Sequence, residues 1–216
     1  MYQKFIFEAE NTFDVEKDYT KRFLNLSFNR KRNIEKMTGP GVYLIEFKGE
    51  IIYIGKYQGQ KKNIAKGNIF TDRWCRHLQT LTLRGQRLSI PKRSYLKLRN
   101  NYPDIDKLLV DQPLEVLHKD KGFNSSYNRS KFALENVFHL NDENILSEFK
   151  FYYYRFSPDD FASTSEARAF ISGLEEELLS FFTPQCNKEY KGGETNADLL
   201  EIEKFIHAHS TVNAAA

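Results

Sequence analysis

Apolar and polar positions change their period along the chain, and each period predicts an element. Gly41–Phe47 and Glu50–Gly55 are β-rich runs on either side of Lys48-Gly49, the pattern of a hairpin. A three-residue loop, Lys48 to Glu50, pairs Phe47 with Ile51 and Ile45 with Tyr53. It also sets Tyr53 on the same face as Tyr43, diagonally across the strands, whereas a two-residue loop splits them. Thr71–Leu81 repeats Trp74, Leu78 and Leu81 at helical spacing, with Thr71 as the expected N-cap. Phe149–Phe156 reads as a strand, and Ser163 with Glu166 forms a capping-box pattern opening a helix to about Phe182, which Pro184 stops.

The remaining segments are less regular. Residues 1–38 are polar, with Arg30, Lys31 and Arg32 close before the hairpin, and read as an extension or arm. Residues 82–148 read as an insertion containing a helix around Phe132–Leu140. Its basic run Arg84, Arg87, Lys92, Arg93, Lys97 and Arg99 contains no acid. Residues 191–216 form a C-terminal tail, patterned only at Leu199–Ile206. The expected fold is α+β: a small three-stranded sheet, made of the hairpin and one later strand, flanked by helices.

Composition narrows the class. The chain has 216 residues, 40% of them hydrophobic, which suits one elaborated globular domain. Lys and Arg number 32 against 29 Asp and Glu, a formal charge of +3 that neither requires nor excludes a polyanionic partner. Cys75 and Cys186 are too few for a disulfide framework or a thiolate zinc site, so a reduced cytoplasmic protein is expected. Glu8 and Glu10 interrupt any signal-peptide core, and no run is long enough to span a membrane.

Candidate chemistry sits on the two helices. Arg73 and His77 are one helical turn apart, on a face separate from Trp74, Leu78 and Leu81, and together suit a phosphodiester. On the later helix the stripe Ala167, Phe170, Ile171, Leu174, Leu178, Phe181 and Phe182 turns Glu176 to solvent. Glu175 and Glu177 then lie about 80° to either side of the stripe, so geometry alone does not choose between them. A lone carboxylate at a core edge suits Mg²⁺ or Mn²⁺, which keep most of their waters.

Taken in order, Gly41-Val42-Tyr43, Tyr53-Ile54-Gly55, Arg73 with His77, Glu175, Pro184 and Asn187 resemble the GIY-YIG nuclease family. The likeness covers Gly39–Gly55, Thr71–Leu81 and Phe149–Asn187, less than half the chain. Glu175 precedes Pro184 by nine residues and Asn187 by twelve, a spacing that selects it over Glu177. The resemblance implies hydrolysis of a nucleic-acid phosphodiester by one-step attack of water, with one Mg²⁺ or Mn²⁺ per site on Glu175. It implies Tyr43 as base or orienter of the water, His77 taking its proton, and Tyr53 bonding the water or phosphate. Arg73 would stabilise the transition-state charge, Asn187 would orient the active-site end of the helix, Lys56 would assist, and Gly55 would let the backbone pass closely. A free tyrosine ionises near pH 10, so a base role for Tyr43 needs positive charge nearby.

No zinc domain, linker or second module is visible, so the chain most resembles a compact type II restriction endonuclease of that family. Double-stranded DNA is the expected partner, with a homodimer for symmetric sites and a methyltransferase as genetic companion only. Arg30–Arg32 and the basic run are the expected DNA-backbone contacts. A low-specificity nicking enzyme of a phage or mobile element, and a non-catalytic DNA-binding module on the same fold, remain alternatives.

Overall fold

A computed structural model describes residues 1–18, 23–28, 37–83, 88–106, 115–117, 123–137, 144–188, 190, 192 and 195–212. Arg30, Lys31, Arg32, Arg84 and Arg87 lie outside the described residues. The chain begins with β1 (Tyr2–Glu8), a helical turn α1 (Ala9–Thr12), the paired strands β2 (Phe13–Asp18) and β3 (Phe23–Phe28), and the hairpin β4 (Pro40–Phe47) and β5 (Glu50–Gln58). A π turn (Phe70–Trp74) opens α2 (Cys75–Thr82). Then come β6 (Leu88–Pro91), α3 (Lys92–Asn101), β7 (Glu115–Leu117), β8 (Phe123–Asn124) and α4 (Tyr127–Phe132). Finally β9 (Phe149–Phe156), α5 (Thr164–Phe181) and α6 (Leu199–Val212) complete the order.

The expected α+β character is present, but the main sheet has four strands where three were expected. Its order is β1-β9-β4-β5, antiparallel throughout. The added strand is β1, which runs beside β9 from Tyr2 opposite Phe156 to Glu8 opposite Lys150. The start of the supposed arm is therefore a sheet edge, and only half of its residues are sheltered, which is why its pattern reads as polar. Every residue of β4 is buried, because both faces of the sheet are covered. On one face Tyr43, Ile45, Phe151 and Tyr153 pack with Trp74, Leu78 and Leu81 of α2. On the other, Val42, Leu44, Ile54 and Tyr154 pack with Ile171, Leu174 and Leu178 of α5 and with Ile202 and Ile206 of α6. The segment read as a tail thus supplies core side chains, while Phe181, expected in the apolar stripe, is exposed.

The hairpin loop differs from expectation. Lys48 and Gly49 both have positive φ, 52° and 88°, as a two-residue type I′ turn demands. Phe47 therefore opposes Glu50 rather than Ile51. A β-bulge then inserts Ile52, so Ile45 still opposes Tyr53 and Tyr43 opposes Gly55. The bulge restores the parity that the short turn would have lost, and Tyr43 and Tyr53 share a face.

The insertion has its own small core of Leu83, Leu88, Ile90, Leu98, Ile105, Ala133 and Leu134, beneath a parallel three-stranded sheet of order β7-β6-β8. Its later helix starts at Tyr127, earlier than expected, because the Ser126 hydroxyl accepts from the Arg129 N–H and caps it; a π turn, Ala133–Val137, continues it.

Candidate active site

Tyr43 stands on β4 opposite Gly55, and the glycine is what lets two tyrosines share that space. A Cβ on Gly55 would lie 2.7 Å from Tyr43 Cζ, from its hydroxyl and from Tyr53 Cε1. Gly41 is likewise pressed against its neighbour: a Cβ there would meet the Tyr154 carbonyl oxygen at 2.4 Å. The glycines of both tripeptides thus answer to packing as well as to any chemistry.

The Tyr43 hydroxyl lies 2.6 Å from Nε2 of His77 on α2, both side chains buried. Burial, the charge of Glu175 and the presence of Tyr53 push the Tyr43 pKa well above its ordinary value, with burial the largest cause; Arg73 and Arg129 only partly offset them. Burial and then the charges of Arg129 and Arg73 hold His77 well below the ordinary histidine value. The pair is therefore a neutral phenol beside a neutral imidazole. Assigned by acidity, the phenol donates to Nε2, and Nδ1 of His77 is buried with no hydrogen-bond partner among the described residues. The Tyr53 ring centroid is 4.5 Å from that of His77 and 6.0 Å from that of Tyr43.

Arg73 and His77, one turn apart, differ in burial. Arg73 lies within the π turn and is exposed, while His77 is buried in the regular helix. The N-cap also differs: Asn68 and Asp72 hold the start of this helix, not Thr71. Asp72 Oδ2 accepts from the Tyr57 hydroxyl at 2.8 Å and from the Asn68 N–H at 3.1 Å. Both basic side chains nonetheless act on the same hydroxyl, since Arg73 is among the charges felt at Tyr43.

Glu175 comes from the opposite layer. Its Oε2 is 2.8 Å from Nζ of Lys56, on the edge strand β5 one residue beyond Gly55. Its side chain is 15% exposed, whereas Glu177 is 54% exposed and pairs with His209 on α6. Glu176 is exposed. Among the described residues no three His, Cys, Asp or Glu gather as a metal cluster. A lone, half-sheltered carboxylate fits a hydrated Mg²⁺ or Mn²⁺, which takes few protein ligands, and the ion would have to displace or share with the Lys56 ammonium.

Asn187 has a different task from the one expected. Its carboxamide does not orient a helix end but grips the Ile54 peptide, Oδ1 accepting from the Ile54 N–H at 2.9 Å and Nδ2 donating to the Ile54 carbonyl at 2.7 Å. It imitates a further strand at the open edge of β5, between Tyr53 and Gly55. The Asn187 carbonyl in turn accepts from Nδ2 of Asn128 on α4 at 2.6 Å.

Arg129, the neighbour of Asn128, adds to the expected set of residues. Its guanidinium carbon lies 4.8 Å from the Tyr53 ring centroid. No spacing ties it to the hairpin; the only local signal is the Ser126 cap that sets its helix. Of the expected DNA contacts that are described, Lys92 and Arg93 are exposed, Lys97 lies over the Tyr127 ring at 4.1 Å, and Arg99 pairs with Asp106 at 3.5 Å. None of the four joins the site. Burial pushes the Cys75 thiol up to about 11 and that of Cys186 further, so neither is a ready nucleophile. Among the described residues no helix is long and apolar enough to cross a membrane.

Comparison with protein-family models, with curated proteins and with solved structures gave no match.

Proposed function

We propose that the chain is a divalent-metal-dependent endonuclease that hydrolyses phosphodiester bonds of duplex DNA, of site-specific restriction type, and that acts as a homodimer on symmetric sites. The observation that carries this reading is the buried Tyr43–His77 contact of 2.6 Å, beside Tyr53 and within the fields of Arg73 and Glu175. Four further residues of the GIY-YIG-like signature, Tyr53, Arg73, His77 and Glu175, thereby bear on the Tyr43 hydroxyl.

In this reading the phosphate enters beside Tyr53, the less buried of the two tyrosines. Tyr43 need not ionise beforehand. Its proton passes to Nε2 of His77 while its oxygen takes a proton from the attacking water, so the low histidine pKa keeps Nε2 open as an acceptor at neutral pH. Arg73 stabilises charge on the pentacovalent phosphate. Glu175 would hold the Mg²⁺ or Mn²⁺, which when bound supplies Lewis-acid stabilisation to the phosphate and leaving oxygen. Asn187 fixes the Ile54 peptide and so the placing of Tyr53 and Gly55.

The test is incubation of unmodified and modified phage and plasmid DNA with the protein in Mg²⁺ or Mn²⁺, beside Glu175→Ala and a metal-free control. Discrete fragments that need the ion and Glu175 support the restriction enzyme. Nicks or smearing with the same dependence favour a low-specificity nuclease. Salt-sensitive binding without cleavage favours the DNA-binding module.

A further inference from the structure

The insertion does more than decorate the sheet, because α4 is tied to both halves of the site. Asn128 Nδ2 donates to the carbonyls of Asn187 (2.6 Å) and Tyr190 (2.9 Å), the turn that grips Ile54. On the side of α2, Ser130 donates to Ser125 at 2.8 Å, and Ser125 donates to the Thr80 carbonyl, one turn after His77. Between these anchors Arg129 leaves the helix and lays its guanidinium over Tyr53. Among the described residues it makes no ion pair, and its Nε is buried with no hydrogen-bond partner. A planar cation held on two sides, with an orphaned donor and no carboxylate, is prepared for an acceptor that a ligand must bring.

We propose that Arg129 is a second phosphate-binding residue of the site, engaging the scissile phosphodiester of DNA alongside Arg73. The proposal rests on the nuclease reading and extends it to the substrate-binding role of the insertion. Arg73 stands at the open start of α2 and Arg129 on the side of Tyr53 and His77. The order of their influence agrees: Arg129 acts on His77 more than Arg73 does, and Arg73 more on Tyr43. Arginine's fork takes two phosphate oxygens at once, which a lysine at the same place cannot reproduce.

The experiment uses the full chain, as wild type, Arg129→Gln and Arg129→Lys, with thermal melts of each. Binding of a short fluorescein-labelled duplex is followed by anisotropy in EDTA over a series of NaCl concentrations, and cleavage of plasmid DNA is followed in Mg²⁺. Arg129→Gln is expected to lower the slope of log affinity against log salt by about one. Its cleavage is expected to fall about a hundredfold. Arg129→Lys is expected to keep the slope while recovering only part of the rate, and it carries the test alone if the Gln variant does not fold. Arg129→Gln with wild-type slope and rate, in a wild type that cuts, overturns the proposal and leaves the nuclease reading intact. A wild type that binds without cutting, with the slope still lost in Arg129→Gln, supports the phosphate contact and removes the nuclease reading. A wild type that binds no DNA overturns both.

Discussion

Removing the Asn187 carboxamide should loosen the strand that carries Tyr53 and Gly55. Asn187 is 4% exposed, and its side chain satisfies both polar groups of the Ile54 peptide. In Asn187→Ala those two groups lose their partners, at about 1–3 kcal/mol each for a buried orphan. Because β5 is an edge strand, water can enter the space left behind, which brings the expected total to about 2–3 kcal/mol. At this chain length that lowers Tm by roughly 5–10 °C. The Asn187 backbone carbonyl stays bonded to Asn128 in the variant, so the change reports the carboxamide alone. Urea denaturation followed by Trp74, the single tryptophan and fully buried, measures it. Asn187→Asp keeps one acceptor but turns a second carboxylate oxygen towards the Ile54 carbonyl, so it should lose at least as much at neutral pH. If both variants stay within about 0.5 kcal/mol of wild type, the grip on Ile54 is not what holds the edge strand.

Two other perturbations follow from the same geometry. Gly55→Ala forces a Cβ to within 2.7 Å of Tyr43 and Tyr53, so it should cost about 1–3 kcal/mol in denaturant and impair cleavage by moving the Tyr43 hydroxyl; unchanged stability would mean that the two rings are not packed as described. His77 has a folded-state pKa below the ordinary value of about 6.5, so the unfolded chain takes up its proton first on acidification. The His77 contribution to stability is therefore lost as pH falls below about 6.5, by up to about 1.4 kcal/mol per pH unit, and His77→Gln should flatten the stability profile there relative to wild type. Parallel profiles for the two proteins would contradict the buried neutral imidazole.

The sequence made the hairpin, the amphipathic helices and the signature residues legible because each leaves a period or a spacing. Other features leave neither. Ile51 and Ile52 are both buried, on opposite faces of a sheet covered on both sides, so consecutive isoleucines conceal the bulge between them. Tyr2–Glu8 pairs through its backbone at a half-sheltered edge, so its side chains do not alternate cleanly. The π turn that carries Arg73 and runs into the regular helix of His77 leaves no mark in an i,i+4 spacing. Asn187 acts through a peptide, not a ligand, which residue type alone does not distinguish. Arg129 reaches Tyr53 only because a helix distant in sequence folds back against the Asn187 turn.

In the proposed reaction Tyr43, paired with His77, takes the proton of the attacking water. The most direct test of this step is the rate of supercoiled-plasmid cleavage in Mg²⁺ by wild type and Tyr43→Phe, with duplex binding measured in parallel in EDTA. Wild type should cleave, Tyr43→Phe should lose about a hundredfold or more in rate, and DNA affinity should be unchanged. Cleavage by Tyr43→Phe at the wild-type rate, or no cleavage by wild type on any DNA it binds, would contradict this role for Tyr43.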